Sequence, residues 1–230
     1  QLKTNFTSVV SHEFRTPLAV IMTSASTMLK FFDKIAPERQ KEKLEIIKNQ
    51  VQHLTRLMDD VLVITRSETV GFALRPQALE LPALCERIIQ DVQTERSNNV
   101  TVDYRYHGAR ELVIADHFLL THILQNLISN AIKYSPENGR VTINLTCTDD
   151  EVILVIQDQG IGIPKQHQSK LFESFQRASN VGRIQGTGIG LTIVKRAVDA
   201  YGGTIEFESQ EEEGTTFTVK LPHGEQLEGE

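Results

Sequence analysis

Cysteine is scarce in this chain: among 230 residues there are two, Cys85 and Cys147. They lie far apart, with no CxxC pair and no Cys/His ligand spacing around them, which excludes a zinc knuckle and a disulfide framework. Both are expected to be reduced core residues of a cytoplasmic protein. Long apolar runs are missing as well. No stretch approaches the roughly 20 residues needed to span a bilayer, and no signal peptide is visible. The chain opens on Gln1 without an initiator Met, as a fragment does, which leaves room for an upstream sensor domain or membrane segment outside it. Neither sign of charge dominates. The net charge is −6 with acids and bases interspersed, so there is no basic footprint for nucleic acid and no polybasic membrane patch. The GxxxxGK[ST] motif is also absent, which removes the ordinary P-loop mode of phosphate binding.

What remains is a chain with 40% hydrophobic and 23% charged residues, long enough for two modest domains. After Phe14, apolar residues recur at Leu18, Ile21, Ala25, Met28, Phe32 and Ile35, the four-three stepping of a bundle helix. A break follows at Asp33 to Pro37, with Pro37 suited to a first helical position. Leu44, Ile47, Val51, Leu54, Met58 and Val61 then repeat the rhythm. The two stripes are too wide for a lone antiparallel pair, so a homodimer forming a four-helix bundle is expected.

Gly71 and Pro76 mark a linker where the rhythm ends. A mixed pattern succeeds it: a helix from about Pro82, strands near Val100 to Tyr106 and Leu112 to Ala115, and a helix from Asp116 to Tyr134. Two alternating strands, Val141 to Thr146 and Val152 to Asp158, turn at Asp149-Asp150. A helix from about Thr187 to Tyr201 stops at Gly202-Gly203, and strands Thr204 to Ser209 and Thr215 to Leu221 close the pattern. The expected architecture is α + α/β: a helical hairpin at residues 1–68, a linker at 69–76, an α/β sandwich at 77–222 and a disordered acidic tail at 223–230.

Ser11-His12-Glu13-Phe14-Arg15-Thr16-Pro17-Leu18 interrupts the first stripe with polar residues. At ~100° per residue, His12 lies roughly 160° from Phe14, so it is expected to face solvent while Phe14 faces the bundle. Thr16 lies one turn further along the same face. A neutral imidazole is a competent nucleophile near neutral pH, and Glu13 is placed to hold its other nitrogen or take its proton. Pro17 removes a backbone donor just after this site and tends to bend the helix there.

Three elements of the second domain suit one nucleotide. Asn126, Asn130, Lys133 and Tyr134 share a helical face; amide oxygens ligate Mg²⁺, Lys meets phosphate, and Tyr lies against a base or ribose. Asp158, at a strand end before Gly160 and Gly162, is placed to accept from an adenine amino group. Gly186, Gly188 and Gly190 directly precede a helix, where backbone N–H groups approach phosphate. Each element alone is commonly a solvated face or a plain turn; their combination in one domain is not.

The octapeptide SHEFRTPL resembles the phosphoacceptor box of sensor histidine kinases, with Phe14 where Leu is usual. The three later elements resemble the ATP-binding Bergerat fold shared by histidine kinases, type II topoisomerases, Hsp90 chaperones and mismatch-repair ATPases. This likeness covers about Asp116 to Leu221. It implies ATP and Mg²⁺ as cofactors and His12 as the phosphorylation site, with Glu13 assisting proton transfer and Thr16 orienting water for dephosphorylation. It implies Asn130 and Asn126 at the metal, Lys133 on phosphate, Tyr134 covering the nucleotide, Asp158 on adenine, and Gly160, Gly162, Gly186, Gly188 and Gly190 shaping the pocket. Leu171 to Arg177 resembles the kinase phenylalanine box, with Ser174 where Arg is frequent. Arg177 stands at a phosphate-contacting position, and Asn180 to Gln185 stands at the lid.

The hydrolytic relatives carry Glu where this chain has Asn126, and lack of that base favours phosphotransfer over ATP hydrolysis. The resemblance thus implies autophosphorylation on His12 and transfer to an aspartate of a response-regulator receiver domain. The competing expectations are a degenerate nucleotide-binding dimerisation module and a plain ATPase.

Overall fold

The computed structural model describes residues 2–69, 74–94, 99–108, 111–182, 184 and 188–222. The acidic tail expected at 223–230 and much of the linker, including Gly71, lie outside them. The chain divides into two compact units, Gln1–Thr65 and Arg66–Glu230.

The first unit is a helical hairpin. Helix α1 spans Leu2–Phe31 and runs through Pro17; helix α2 spans Pro37–Thr69 and begins on the proline whose missing N–H has no helical partner to lose. A short 3₁₀ turn, Phe32–Lys34, joins them. The stripe expected to continue through Phe32 and Ile35 therefore stops at Phe31, and Phe32 is exposed in the turn. The turn is fastened by Gln40, whose Nε2 donates to the carbonyls of Phe32 at 2.8 Å and Ile35 at 3.0 Å. Leu18, Met22, Leu29, Leu44, Val51 and Met58 are exposed. That much apolar surface on one hairpin is what a bundle partner would cover.

The second unit adds β1 (Pro76–Glu80), α3 (Leu81–Thr94), β2 (Thr101–Gly108), β3 (Leu112–Asp116), α4 (His117–Tyr134), β4 (Arg140–Cys147), β5 (Glu151–Asp158), α5 (Lys165–Gln168), α6 (Gly190–Ala200), β6 (Thr204–Gln210) and β7 (Gly214–Pro222). Five strands form one mixed sheet in the order β2-β4-β5-β7-β6, with β2 and β4 parallel and the other pairs antiparallel. Strands β1 and β3 form a separate two-stranded antiparallel ladder. Two boundaries differ from expectation. Strand β1 starts where the linker was to end, with Pro76 at the first position, which a strand tolerates. Helix α6 begins at Gly190 rather than Thr187, because Gly188 takes a φ of +71° that no right-handed helix contains.

Alternation builds the core. Val141, Ile143 and Leu145 of β4, Val152, Leu154 and Ile156 of β5, and Phe217, Val219 and Leu221 of β7 all point to one buried face. Against it pack α3, α6 and above all α4, which buries Leu119, Leu120, Ile123, Leu124, Leu127, Ile128 and Ile132. Each such side chain contributes about 1.5–3 kcal/mol on burial. Both cysteines are free and buried in this core, and desolvation pushes the Cys85 thiol up to about 12.

The start of α4 is tied on three sides by Asp116. Its Oδ1 accepts the capping N–H of Leu119 at 3.0 Å, and its Oδ2 accepts the backbone N–H of Arg75 at 2.8 Å. Its own backbone N–H donates to the Tyr201 hydroxyl, which donates back to the Asp116 carbonyl, both at 2.8 Å. Helix α4 is thus anchored at its N-terminus to the C-cap residue of α6 and to the strand that opens the unit.

Candidate nucleotide site and phosphoacceptor helix

Helix α4 carries one wall of the site. Its polar residues are half-buried, while the opposite face supplies the core. Asn126 donates through Nδ2 to the His122 carbonyl at 2.9 Å, and its Oδ1 lies against Gly190. A Cβ at position 190 would collide with that oxygen, so glycine as the first residue of α6 leaves Asn126 room for this orientation. One turn on, the Asn130 side chain makes no hydrogen bond among the described residues. The Lys133 ammonium sits 4.7 Å from the centroid of the Tyr134 ring, a cation–π contact that draws the two side chains together.

At the C-terminal end of α4 the glycine loop after β5 closes on the same wall. The Tyr134 carbonyl accepts the Ile161 N–H at 3.2 Å. Asp158 is 8% exposed, and its Oδ1 accepts backbone N–H groups from Gly160 at 2.8 Å and Thr215 at 3.2 Å. Its Oδ2 takes no bond among the described residues. Burial pushes this carboxyl up to about 6, opposed by the two backbone donors. The result is an oriented acceptor, ionised at neutral pH and held by the fold with one oxygen unspent. Gly162 follows at a φ of +61° and packs directly on the Gln210 carbonyl, leaving no room for a side chain.

The second glycine box closes on the phenylalanine box. Phe175, itself at a φ of +66°, donates its N–H to the Gly188 carbonyl at 2.9 Å. Phe172 stacks edge-to-face on Phe207 of β6 with centroids 5.9 Å apart. Among the described residues no side chain caps the N-terminus of α6, whose N-cap residue is Ile189. The Arg177 guanidinium donates to the Ile184 carbonyl. Gly186, together with Arg183 and Gln185 of the expected lid, lies outside the described residues. Asn180, the first lid residue, is anchored: its Nδ2 donates to the carbonyls of Ile161 and Gly162.

Among the described residues no three His, Cys, Asp or Glu side chains form a metal cluster. The two carboxamides fit a hard cation that arrives with its own phosphate and water ligands, since Mg²⁺ rarely takes an all-protein cage. Sequence reasoning places Asn126, Asn130, Lys133 and Tyr134 on one face but misses the tethers behind Asp158. Thr215 and Ser209, whose hydroxyls lie 2.8 Å apart, hold the far side of Asp158 and its loop. No local motif announced them.

In the first unit His12 lies on α1; its side chain, and with it the expected exposure, is outside the described residues. Glu13 and Phe14 are half-buried and Thr16 is exposed. From Thr16 onward a groove of about 620 Å³ runs between the helices, lined among others by Arg15, Thr23, Ser24 and Lys43, so two cations and three hydroxyls lie within a few turns of the histidine.

The two units match two protein families in the same order. The "His Kinase A (phospho-acceptor) domain" matches residues 2–70, and the "Histidine kinase-, DNA gyrase B-, and HSP90-like ATPase" matches residues 115–225. The circadian input-output histidine kinase CikA of Thermosynechococcus vestitus is 35% identical over 96% of this chain and 31% of its own length. Sensor histidine kinase WalK of Bacillus subtilis is 32% identical over 99% of this chain and 38% of its own. The chain therefore spans about a third of the length of these curated relatives. Among solved structures, the mycobacterial sensor histidine kinase MprB superposes with a TM-score of 0.54 at 30% identity, covering 65% of this chain and 98% of that one. A phosphoacceptor helix and an ATPase wall, each matched in its own right and joined in this order, occur together here because the chain belongs to the sensor histidine kinase family.

Proposed function

We propose that this chain is the catalytic core of a sensor kinase that phosphorylates its own His12 from ATP and passes the phosphoryl group to an aspartate of a response-regulator receiver domain. The observation that carries this reading is Asp158: a buried carboxylate fixed through one oxygen by two backbone donors, with the other oxygen unbonded among the described residues beside the Tyr134 end of α4. That is an acceptor suited to a planar amino donor such as adenine. Asn126, Asn130, Lys133 and the α6 N-terminus extend from it in the direction a polyphosphate would run.

In this reading a nitrogen of His12 attacks the γ-phosphorus. A P–N bond forms as the P–O bond to ADP breaks, and the imidazole proton passes to Glu13. Asn130 and Asn126 would hold Mg²⁺, which supplies charge neutralisation on the phosphates when bound. Lys133 and Arg177 meet phosphate oxygens, Tyr134 covers the nucleotide, and Gly160, Gly162, Gly186, Gly188 and Gly190 give the backbone its close approach. The receiver aspartate then takes the phosphoryl group from His12, and Thr16 orients water for the reverse, dephosphorylating activity. The exposed apolar residues of α1 and α2 support a homodimeric four-helix bundle. The cations Arg15 and Lys43 of the groove beside Thr16 suit the acidic pocket of a receiver.

Incubation with γ-labelled ATP tests the reading. Acid-labile, base-stable label on the wild type and none on His12→Gln is expected. Undiminished ATP turnover in His12→Gln would instead support a plain ATPase, and nucleotide binding without any label would support a degenerate module.

A further inference from the structure

We propose that Asn180 is a positioning residue for the adenine pocket, holding the loop after Asp158 in place from the side of the phenylalanine box. The proposal rests on the assignment of Asp158 to adenine. Asn180 Nδ2 carries two protons, and the geometry uses both: one carbonyl is Ile161 at 3.2 Å, the other Gly162 at 3.0 Å. Its Oδ1 is buried with no partner among the described residues, a penalty that the two donated bonds must offset.

The segment that carries Asn180 is held from the other side. The Ser179 N–H lies 3.3 Å from His167 Nε2. A backbone N–H only donates, so Nε2 is the acceptor and the ring carries its proton on Nδ1. The 3₁₀ turn Ser179–Val181 is thereby pinned between α5 and the glycine loop.

The loop itself is tied elsewhere through backbone atoms. The Ile161 carbonyl also accepts from Glu212 N–H at 3.0 Å, the Ile163 N–H donates to Ser209 Oγ at 2.9 Å, and Gln168 Nε2 bridges the carbonyls of Ile163 and Ser209 at 2.9 and 3.1 Å. Those ties fix the β6 side. Asn180 alone, among the described residues, fixes the carbonyls of 161 and 162 from the side of the phenylalanine box. These peptides lie one and two steps beyond the 160–161 peptide, whose N–H donates to the Tyr134 carbonyl and which follows Gly160, the residue whose N–H aims Asp158. Released carbonyls let the peptide planes after Gly160 rotate, and Asp158 then loses one of the two donors that point its free oxygen at the base.

Two variants test this in the intact chain. Asn180→Asp keeps the shape but sets a carboxylate oxygen against two carbonyl oxygens; Asn180→Ala removes the contact. Loss of two neutral hydrogen bonds predicts roughly a tenfold or greater rise in the Kd for ADP and in the KM for ATP, with kcat at saturating ATP within about twofold of wild type. The preference for ADP over GDP should fall by a similar factor. In the unliganded protein, amide exchange at Gly160 and Ile161 should accelerate in both variants. Unchanged ADP affinity, or equal weakening of ADP and GDP, overturns the proposal, and so does a lowered urea midpoint with an unaltered ADP-to-GDP ratio. Asp158→Asn is run alongside. If it leaves ADP affinity intact, the adenine assignment itself fails; if it weakens ADP while Asn180→Asp does not, only the role of Asn180 fails.

Discussion

Replacing Asp158 with asparagine should make the unliganded protein more stable and the nucleotide complex weaker. The carboxyl rises from 3.8 to about 6 in the folded state because burial disfavours its charge. A shift of about 2 units corresponds to about 3 kcal/mol between charged and neutral forms. The sign is that of a raised acid: the fold favours the protonated form, so the contribution of Asp158 to stability is greatest below about 3.8, declines as pH rises towards about 6, and is flat above. The Asp158→Asn side chain would keep an acceptor oxygen for the Gly160 and Thr215 N–H groups while removing the charge. At pH 8 the variant should therefore gain up to about 3 kcal/mol, or roughly 6–12 °C in Tm, and the gain should shrink to nothing near pH 4. Those same two donors dictate the rotamer: oxygen inward, NH₂ outward where Oδ2 was. An adenine amino group then meets a donor, and ADP affinity should fall about 10- to 200-fold, the worth of a charged hydrogen bond. Calorimetric unfolding at pH 4 and 8, with ADP titration at pH 8, measures both halves. A variant no more stable than wild type at pH 8, or a gain independent of pH, would refute the burial argument.

Four further outcomes are expected. ADP affinity of the wild type should fall as pH drops through about 6, since protonated Asp158 no longer accepts through both oxygens; titration calorimetry between pH 5 and 8 would read a slope absent from Asp158→Asn. Gly190→Ala drives a methyl into Asn126 Oδ1, so it should cost about 1–3 kcal/mol of stability in urea unfolding and weaken nucleotide binding in ADP titration. Tyr201→Phe strands the buried Asp116 N–H and should cost about 1–3 kcal/mol in urea unfolding without altering Kd for ADP at low temperature. Cys85, fully buried with its thiol raised to about 12, should resist alkylation at pH 8 until the protein is unfolded.

Much of this was legible in the sequence, and the part that was not has a common physical origin. The helical stripes, the shared face of Asn126, Asn130, Lys133 and Tyr134, and the alternation of β4, β5 and β7 are periodicities within one element, which sequence records directly. Strand β1 escaped because five residues beginning at a proline carry no alternation, and its partner β3 lies beyond an intervening helix and strand. The parallel pairing of β2 with β4 escaped for the same reason. In the site, Asp158 and its glycines stood out, but the donor that holds it from Thr215 is 57 residues away, and Asn180 looked like ordinary lid. Contacts of that separation are products of topology, and no local spacing encodes them.

The triple fastening of Asp116 has a mechanical consequence. Because Arg75 is bonded to the N-cap of α4, the chain just ahead of β1 is fastened to one end of that helix, while Tyr134 and the loop after Asp158 lie at the other. Eighteen residues at 1.5 Å each make a rigid arm of about 27 Å. A rotation of only ~10° at the Asp116 end would carry the Tyr134 end through about 5 Å, more than the reach of a hydrogen bond. The stiffness of one capping aspartate thus sets how faithfully a small rotation beside Arg75 becomes a displacement of the loop after Asp158.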